Sequence, residues 1–143
     1  MLFADTFNTY FEPENLRAAA AVLVHLGYRV TALAPADGRP VCCGRTFLSA
    51  GLVDEARAGA RRLLTAAAPA LQRGATIVGL EPSCLLTFRD EFRAMLPGDS
   101  TDRLAEHSLL FEEFLAREAG AGRIARPIAR SKRKVLVLSL IHI

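Results

Sequence analysis

Short apolar runs alternate with longer amphipathic stretches along most of this 143-residue chain. The run at residues 75–80 is almost continuously apolar, which is typical of a parallel strand covered by helices on both faces. Similar runs lie at residues 1–4, 28–33 and 135–137. Because strands that alternate with helices pair in parallel through crossover connections, we predict an α/β fold with a layered, mostly parallel sheet.

Helical signals fill the segments between these runs. Pro13 in a first turn and Gly27 at the end of the following apolar stripe mark a complete helix. The predicted helices span residues 11–27, 47–67, 81–95 and 101–115. With 51% apolar residues the chain can bury a core, and we expect one domain over residues 1–137.

Positive charge is concentrated at the C-terminal end of the chain. Residues 1–125 contain 13 arginines, no lysine and 15 acidic residues, a formal charge of −2, whereas residues 126–143 contain five basic residues and no acid. Aromatic residues make up 7% of the chain, with no tryptophan. We therefore expect no nucleic-acid partner, since the body lacks both a basic face and a surface on which bases would stack.

Neither a membrane span nor an export signal is expected from the sequence. No apolar run approaches the length of about 18 residues that a spanning helix needs, and the first residues lack a charged stretch before an apolar one. The three cysteines are an odd number, which indicates a reducing compartment. We expect a cytoplasmic location, with any membrane association made through partners.

All three cysteines follow predicted strands. Cys42 and Cys43 stand before Gly44 after the second strand, and Cys84 follows the third. Ligand chemistry gathers at the carboxyl ends of parallel strands, so we expect these sulfur atoms to meet in one crevice. Converging thiols bind soft metals or iron–sulfur clusters, or act as redox pairs. We predict that the cysteines bind a metal or cofactor, with Gly44 allowing close approach of the backbone and Arg45 stabilising a thiolate or a bound anion.

Simpler interpretations stay open. Free cysteines often pack as small hydrophobic residues, and three thiols are fewer than the four that clusters usually use. A zinc site with one open position is chemically feasible, but the spacing matches no compact zinc motif. Arg45 suits a salt bridge or a cap equally well. Asp5 suits a turn or a helix cap better than an oxygen ligand.

Three segments, taken in order, resemble a known cysteine-rich region. They are residues 7–14 (FNTYFEPE), 42–51 (CCGRTFLSAG) and 80–86 (LEPSCLL). This pattern resembles the CCG region of heterodisulfide reductases and of glycolate oxidase iron–sulfur subunits. It is similar in particular to the C-terminal part of large FAD-linked oxidases, over residues 2–137.

The resemblance implies a flavoprotein that oxidises a 2-hydroxy acid such as D-2-hydroxyglutarate, glycolate or D-lactate. Electrons would pass from FAD, bound outside this chain, through iron–sulfur centres. The chain would be a fragment that contributes the cysteine-rich electron-transfer region and is inactive alone. Its partner would be the flavin domain or subunit of the same enzyme.

Two departures from the family's pattern concern cluster ligands. Family members that bind a cluster in this region carry cysteines where this chain has Thr6 and Thr87. A hydroxyl is a poor substitute for a thiolate on iron. The alternative is therefore a degenerate structural or interaction domain, which scaffolds the cluster-binding part without binding a cluster itself.

The final six residues, LSLIHI at 138–143, resemble one translated frame of a sequencing adapter. Family members commonly open a second repeat at this place, with a motif that contains histidine and cysteine. We therefore interpret residues 138–143 as non-native sequence and expect no role for His142.

Overall fold

The computed structural model describes residues 1–33, 38–126 and 134. The elements of this part of the chain are α1 (Thr6–Tyr10), α2 (Pro13–His25), α3 (Arg45–Ser49), α4 (Val53–Gln72), β1 (Ile77–Gly79), α5 (Pro82–Arg89), α6 (Glu91–Met95), α7 (Asp99–His107), β2 (Ser108–Leu110) and α8 (Phe111–Gly120). The predicted strand at 135–137 and the segment 138–143 lie outside the described residues. None of the helices in the described ranges has the length and apolar character needed to cross a membrane.

A small parallel sheet lies at the centre of these helices. β1 and β2 pair in parallel, with Val78 opposite Leu109. The segment at Leu2 lies on the other side of β1 and forms a parallel bridge to Val78. Leu2 also forms a second parallel bridge, to Ala32. The Leu2 N–H donates to the Thr31 carbonyl at 2.8 Å. The described chain is therefore helix-rich with a two-stranded parallel sheet, which is compatible with the predicted α/β class.

Helices pack against both faces of this backbone, because successive residues of an extended chain point to opposite sides. Leu2 and Val78 belong to a buried cluster with residues of α2 and α8. Phe3 and Ile77 belong to a larger cluster with residues of α4, α5 and α7. Within it, the rings of Phe3 and Phe88 meet edge to face with their centroids 5.0 Å apart. These contacts fix the helix that follows β1.

Two predicted helices are present but divided. Residues 47–67 fall in α3 and α4, which Gly51 separates with a left-handed φ of 75°. Residues 81–95 fall in α5 and α6, which meet at Asp90, where φ is −118° and ψ is −76°. Short helices joined this tightly keep the apolar spacing of one helix, so the pattern did not reveal the breaks.

The prediction of one helix over residues 101–115 is wrong in its middle. α7 ends at His107, and residues 108–110 form β2 instead. The Ser108 hydroxyl donates to the Leu104 carbonyl at 2.7 Å, and its own backbone turns to ψ 122°. Pairing with β1 gives the apolar residues Leu109 and Leu110 a place in the sheet that continuing the helix would not provide.

We expect Gly79→Ala to destabilise the fold. A Cβ at Gly79 would lie 2.7 Å from Cδ1 and 3.3 Å from Cβ of the fully buried Leu85, so α5 would have to shift. The expected loss is about 1–3 kcal/mol of unfolding free energy, measured by urea denaturation. Gly59→Ala is the matched control: it meets nothing within 4 Å inside α4 and should stabilise by about 0.5–1 kcal/mol. Equal behaviour of the two variants would contradict this packing.

The buried carboxylate of Glu118 links the C-terminal part of α8 to Tyr28, which follows α2, and to the segment that follows α8. Glu118 accepts hydrogen bonds from Arg123 at 2.7 Å, from Arg117 at 3.0 Å and from the Tyr28 hydroxyl at 3.0 Å. The hydrogen bond from Arg123, together with those from Tyr28 and Arg117, outweighs burial and lowers the pKa of Glu118 to about 2. The ionised form of Glu118 therefore stabilises the fold.

This network predicts an acid-sensitive contribution to stability. The pKa of Glu118 is lower in the folded chain than its ordinary value of 4.5, so the contribution is complete above about pH 4.5 and is lost as the pH falls towards 2. Thermal unfolding between pH 6 and pH 2 measures it, and Glu118→Gln should flatten the decline. Glu112→Gln, on an exposed position of the same helix, should leave the decline unchanged. An unaltered decline in Glu118→Gln would contradict the assignment.

Candidate functional site

One loop and the first turn of one helix carry the three cysteines to the carboxyl edge of the sheet. Cys42 and Cys43 stand directly before α3, and Cys84 lies in the first turn of α5, after β1. The sulfur atoms of Cys43 and Cys84 are 3.0 Å apart, and these residues are only 2% and 7% exposed. The expected convergence of the doublet and the distant cysteine is therefore confirmed for this pair. Cys42 is partly exposed.

The start of α5 is held from both sides. Glu81 caps the helix, accepting hydrogen bonds from the Ser83 N–H at 3.3 Å and from its hydroxyl at 2.5 Å. Leu85 and Phe88, which follow on the same helix, are fully buried. A capped helix with a buried face has little freedom to rotate, so Cys84 is held against Cys43.

The loop that carries the doublet is fixed by side-chain and backbone contacts. The Arg62 guanidinium of α4 donates to the carbonyls of Arg39 and Pro40, both at 2.7 Å. Gly44 caps α3 with φ 79°, and a Cβ there would lie 3.3 Å from the Ala56 carbonyl oxygen. This close approach is to α4, and the role of Gly44 beside a metal or cofactor stays a prediction.

Thr6 and Thr87, where the resemblance predicts cysteines, lie on α1 and α5, and of these two helices α5 carries a cysteine, Cys84. The Thr6 hydroxyl, at the start of α1, is 4.0 Å from the Cys42 sulfur atom. Thr87 lies three residues after Cys84 on α5, a spacing that places the two side chains next to each other on the helix surface. Thr87 is fully buried, and its hydroxyl donates to the Ser83 carbonyl at 2.7 Å. That hydroxyl is engaged within its own helix.

Hydrogen bonding and burial oppose ionisation of the doublet. For Cys42, the hydrogen bond with Cys43 and then burial raise the pKa far above its ordinary value, although the Gly44 N–H acts in the opposite direction. For Cys43, the hydrogen bond with Cys42 lowers the pKa, but the hydrogen bond with Cys84 and burial together raise it to about 11. Both side chains are therefore thiols, not thiolates, at neutral pH.

Arg45 and Asp5 have structural contacts of their own. The Arg45 guanidinium forms an ion pair with Glu91 of α6, so the salt-bridge alternative describes this side chain. Its contact with Cys43 is a hydrogen bond from the backbone N–H. Asp5 is fully buried and accepts from the Asn8 backbone N–H at 2.9 Å and from the Asn8 side-chain amide at 2.8 Å. Asp5 is the cap of α1, as the simpler interpretation held.

A groove of about 510 Å³ lies next to this edge and was not predicted from the sequence. α1, α2 and the start of α8 line it, with Phe7, Phe11 and Phe111 among the apolar side chains and Asn8 and Glu81 among the polar ones. Phe7 and Phe11 are 58% and 72% exposed, with ring centroids 6.0 Å apart. A pair of phenylalanines four residues apart was the available signal, because that spacing places both rings on one helix face.

The three cysteines are fewer than the four thiolates that usually hold an iron–sulfur cluster. Two thiolates on one tetrahedral ion with metal–sulfur distances of about 2.3 Å lie about 3.8 Å apart, and ligands to different irons lie further apart still. Cys43 and Cys84 are closer than either, at 3.0 Å. Over residues 1–33 and 38–126, no three histidine, cysteine or acidic side chains are grouped so as to hold a metal ion. What the geometry provides is a pair of thiols in contact.

The raised pKa predicts slow alkylation of Cys43 in the folded protein. Below pH 9, a pKa of about 11 in place of 9.0 reduces the thiolate fraction about 100-fold, and burial slows the reaction further. The Cys42→Ser variant allows Cys43 to be followed alone on its tryptic peptide. Its rate with iodoacetamide at pH 8, measured by mass spectrometry, should be at least two orders of magnitude below that in urea, by the same reasoning. Similar rates in both states would contradict the pKa and the burial.

Comparisons with known proteins found no relative of this chain. The chain matches no protein-family model, no curated protein and no solved structure. Its function must therefore be argued from its own residues.

Proposed function

We propose that this chain is a degenerate cysteine-rich unit of a FAD-linked oxidoreductase, and that it scaffolds the cluster-binding part of that enzyme without binding a cluster itself. The enzyme would oxidise a 2-hydroxy acid of the D-2-hydroxyglutarate, glycolate or D-lactate type. The small sheet and its helices would form the centre of a layered α/β unit. The observation that carries the proposal is that hydroxyls stand at two ligand positions beside gathered thiols, with Thr6 next to Cys42 and Thr87 on the helix of Cys84.

The ligand count supports scaffolding over electron transfer within this chain. Clusters are usually held by four thiolates, whereas three cysteines are available here. Cys43 and Cys84 are in direct contact, and the hydroxyl of Thr87 is already bonded to its own helix. We therefore assign FAD and the iron–sulfur centres to the rest of the enzyme.

The surface beside the edge supports an interaction role. Phe7 and Tyr10 of α1 and the following residue Phe11 are each more than half exposed, and Phe7 and Phe11 line the groove described above. Exposed apolar side chains that are contiguous mark sites of protein contact, because leaving them in water is unfavourable. In this proposal the groove and α1 contact the flavin domain or subunit of the same enzyme.

Anaerobic reconstitution with iron and sulfide tests the proposal. The wild-type chain should retain neither iron nor acid-labile sulfide after desalting, because it lacks a complete ligand set. Stoichiometric iron and sulfide in the wild-type chain would contradict the scaffolding role. That result would support the alternative, in which this region itself transfers electrons through a cluster.

Restoring thiols provides the converse test. The double variant Thr6→Cys and Thr87→Cys raises the number of cysteines at the edge from three to five, above the four that clusters use, and should gain bound iron, sulfide and visible absorbance. Thr65→Cys is the matched control, since the Thr65 hydroxyl makes the same bond to a carbonyl four residues back but lies exposed on α4. The double variant with serine at both positions should bind nothing. Equal binding by Thr65→Cys, or none by the double cysteine variant, would contradict the assignment to a cysteine-rich cluster region.

A further inference from the structure

The contact between Cys43 and Cys84 is unusually close for two sulfur atoms that are not bonded. Their separation of 3.0 Å is below the roughly 3.5–4.0 Å at which non-bonded carbon atoms settle, and about 1 Å above the length of a disulfide bond. The two residues are 41 positions apart in the chain, on the loop before α3 and on α5. The fold therefore brings together two distant thiols that only a small side-chain movement separates from bonding.

We propose that Cys43 and Cys84 form a reversible intramolecular disulfide, closed by hydrogen peroxide and reopened by a thiol reductant. The bond would join the loop that carries the cysteine doublet to the first turn of α5. This inference rests on the geometry of the two side chains and does not depend on the proposed function.

The chemistry balances with peroxide as the oxidant. One of the two sulfur atoms attacks a peroxide oxygen, the O–O bond breaks, and a sulfenic acid and one water molecule are formed. The second sulfur atom then attacks the first, the S–O bond breaks, and a second water molecule leaves. The two thiols lose two hydrogen atoms in total and peroxide is reduced to two water molecules. A dithiol reductant such as dithiothreitol returns both hydrogens and is itself oxidised to its cyclic disulfide.

Geometry disfavours Cys42 as a partner of its neighbour. Adjacent Cα atoms across a trans peptide are about 3.8 Å apart, below the roughly 4.4–6.8 Å that disulfides span, and no peptide bond in the described ranges is cis. The Cys42 sulfur atom instead accepts hydrogen bonds from the Gly44 N–H at 3.4 Å and from the Thr6 hydroxyl. Cys42 should therefore remain a thiol when the other two cysteines are oxidised.

Peptide mapping of the full chain tests the proposal. The reduced protein is treated with hydrogen peroxide, alkylated with iodoacetamide in urea, and digested with trypsin without reduction. Trypsin does not cut the bond between Arg39 and Pro40, so the expected product is peptide 30–45 linked to peptide 74–89, with one alkylated cysteine. Dithiothreitol before alkylation should abolish the link. A treated wild-type protein with three alkylated cysteines, or with links only between chains, would overturn the proposal.

Single variants identify the sulfur atoms involved. Cys42→Ser should still give the linked peptides, whereas Cys43→Ser and Cys84→Ser should not. A link that persists in Cys43→Ser would assign the bond to Cys42 and overturn the proposal. Because Cys43→Ser or Cys84→Ser could fail to fold, far-UV circular dichroism is recorded for each. If either is unfolded, the decision rests on Cys42→Ser, in which loss of the link would overturn the proposal.

A thermal measurement gives an independent readout. A disulfide between residues 41 positions apart restricts the unfolded chain, so the oxidised protein should unfold about 10 °C above the reduced protein. Cys42→Ser should show the same shift, because it retains both bonding sulfur atoms. An oxidised protein that unfolds at or below the temperature of the reduced one would contradict a bond formed within the native geometry.

Discussion

Parallel pairing of the backbone through Leu2, Val78 and Leu109 is the constraint on which the rest of the molecule depends. Each backbone hydrogen bond contributes only about 1 kcal/mol net, but leaving buried N–H and C=O groups unpaired would cost more. Because the paired segments run in the same direction, the loops that follow them leave from one edge. The positions of Thr6, Cys84 and the start of α8 are consequences of that shared direction.

A sheet this small depends on helix packing from both sides. Phe3, Ile77 and Phe88 join the sheet to α4, α5 and α7, and the opposite face is covered by α2 and α8. The same packing buries the side chain of Thr87 on α5. A buried hydroxyl is costly when unpaired, but a helical threonine can donate to the carbonyl four residues back, as this one does. The buried hydroxyl of Thr87 is therefore paired within its own helix.

The sequence was most informative where an apolar run predicted a strand and the parallel strand direction predicted where the next residues lie. The apolar run around Val78 identified a parallel strand, and the positions of Cys43 and Cys84 after predicted strands were enough to predict their convergence. β2 was missed because Leu109 and Leu110 also satisfy helical spacing, and only the presence of β1 alongside decides between the two. The contacts of Glu118 with Tyr28 and Arg123 could not be predicted either, since they join residues whose spacing carries no periodic signal.

The segment that begins α1 connects the two features of the carboxyl edge. Asp5 caps the helix, Thr6 contacts Cys42, and Phe7 lines the groove, so three consecutive residues join the thiols to the exposed apolar surface. Under the proposed function, a partner seated on Phe7 would lie beside Thr6, whose hydroxyl is 4.0 Å from the sulfur atom of the partly exposed Cys42. Such a partner would restrict the access of peroxide to the thiol pair from that side. Docking and oxidation would then be linked by a helix of five residues.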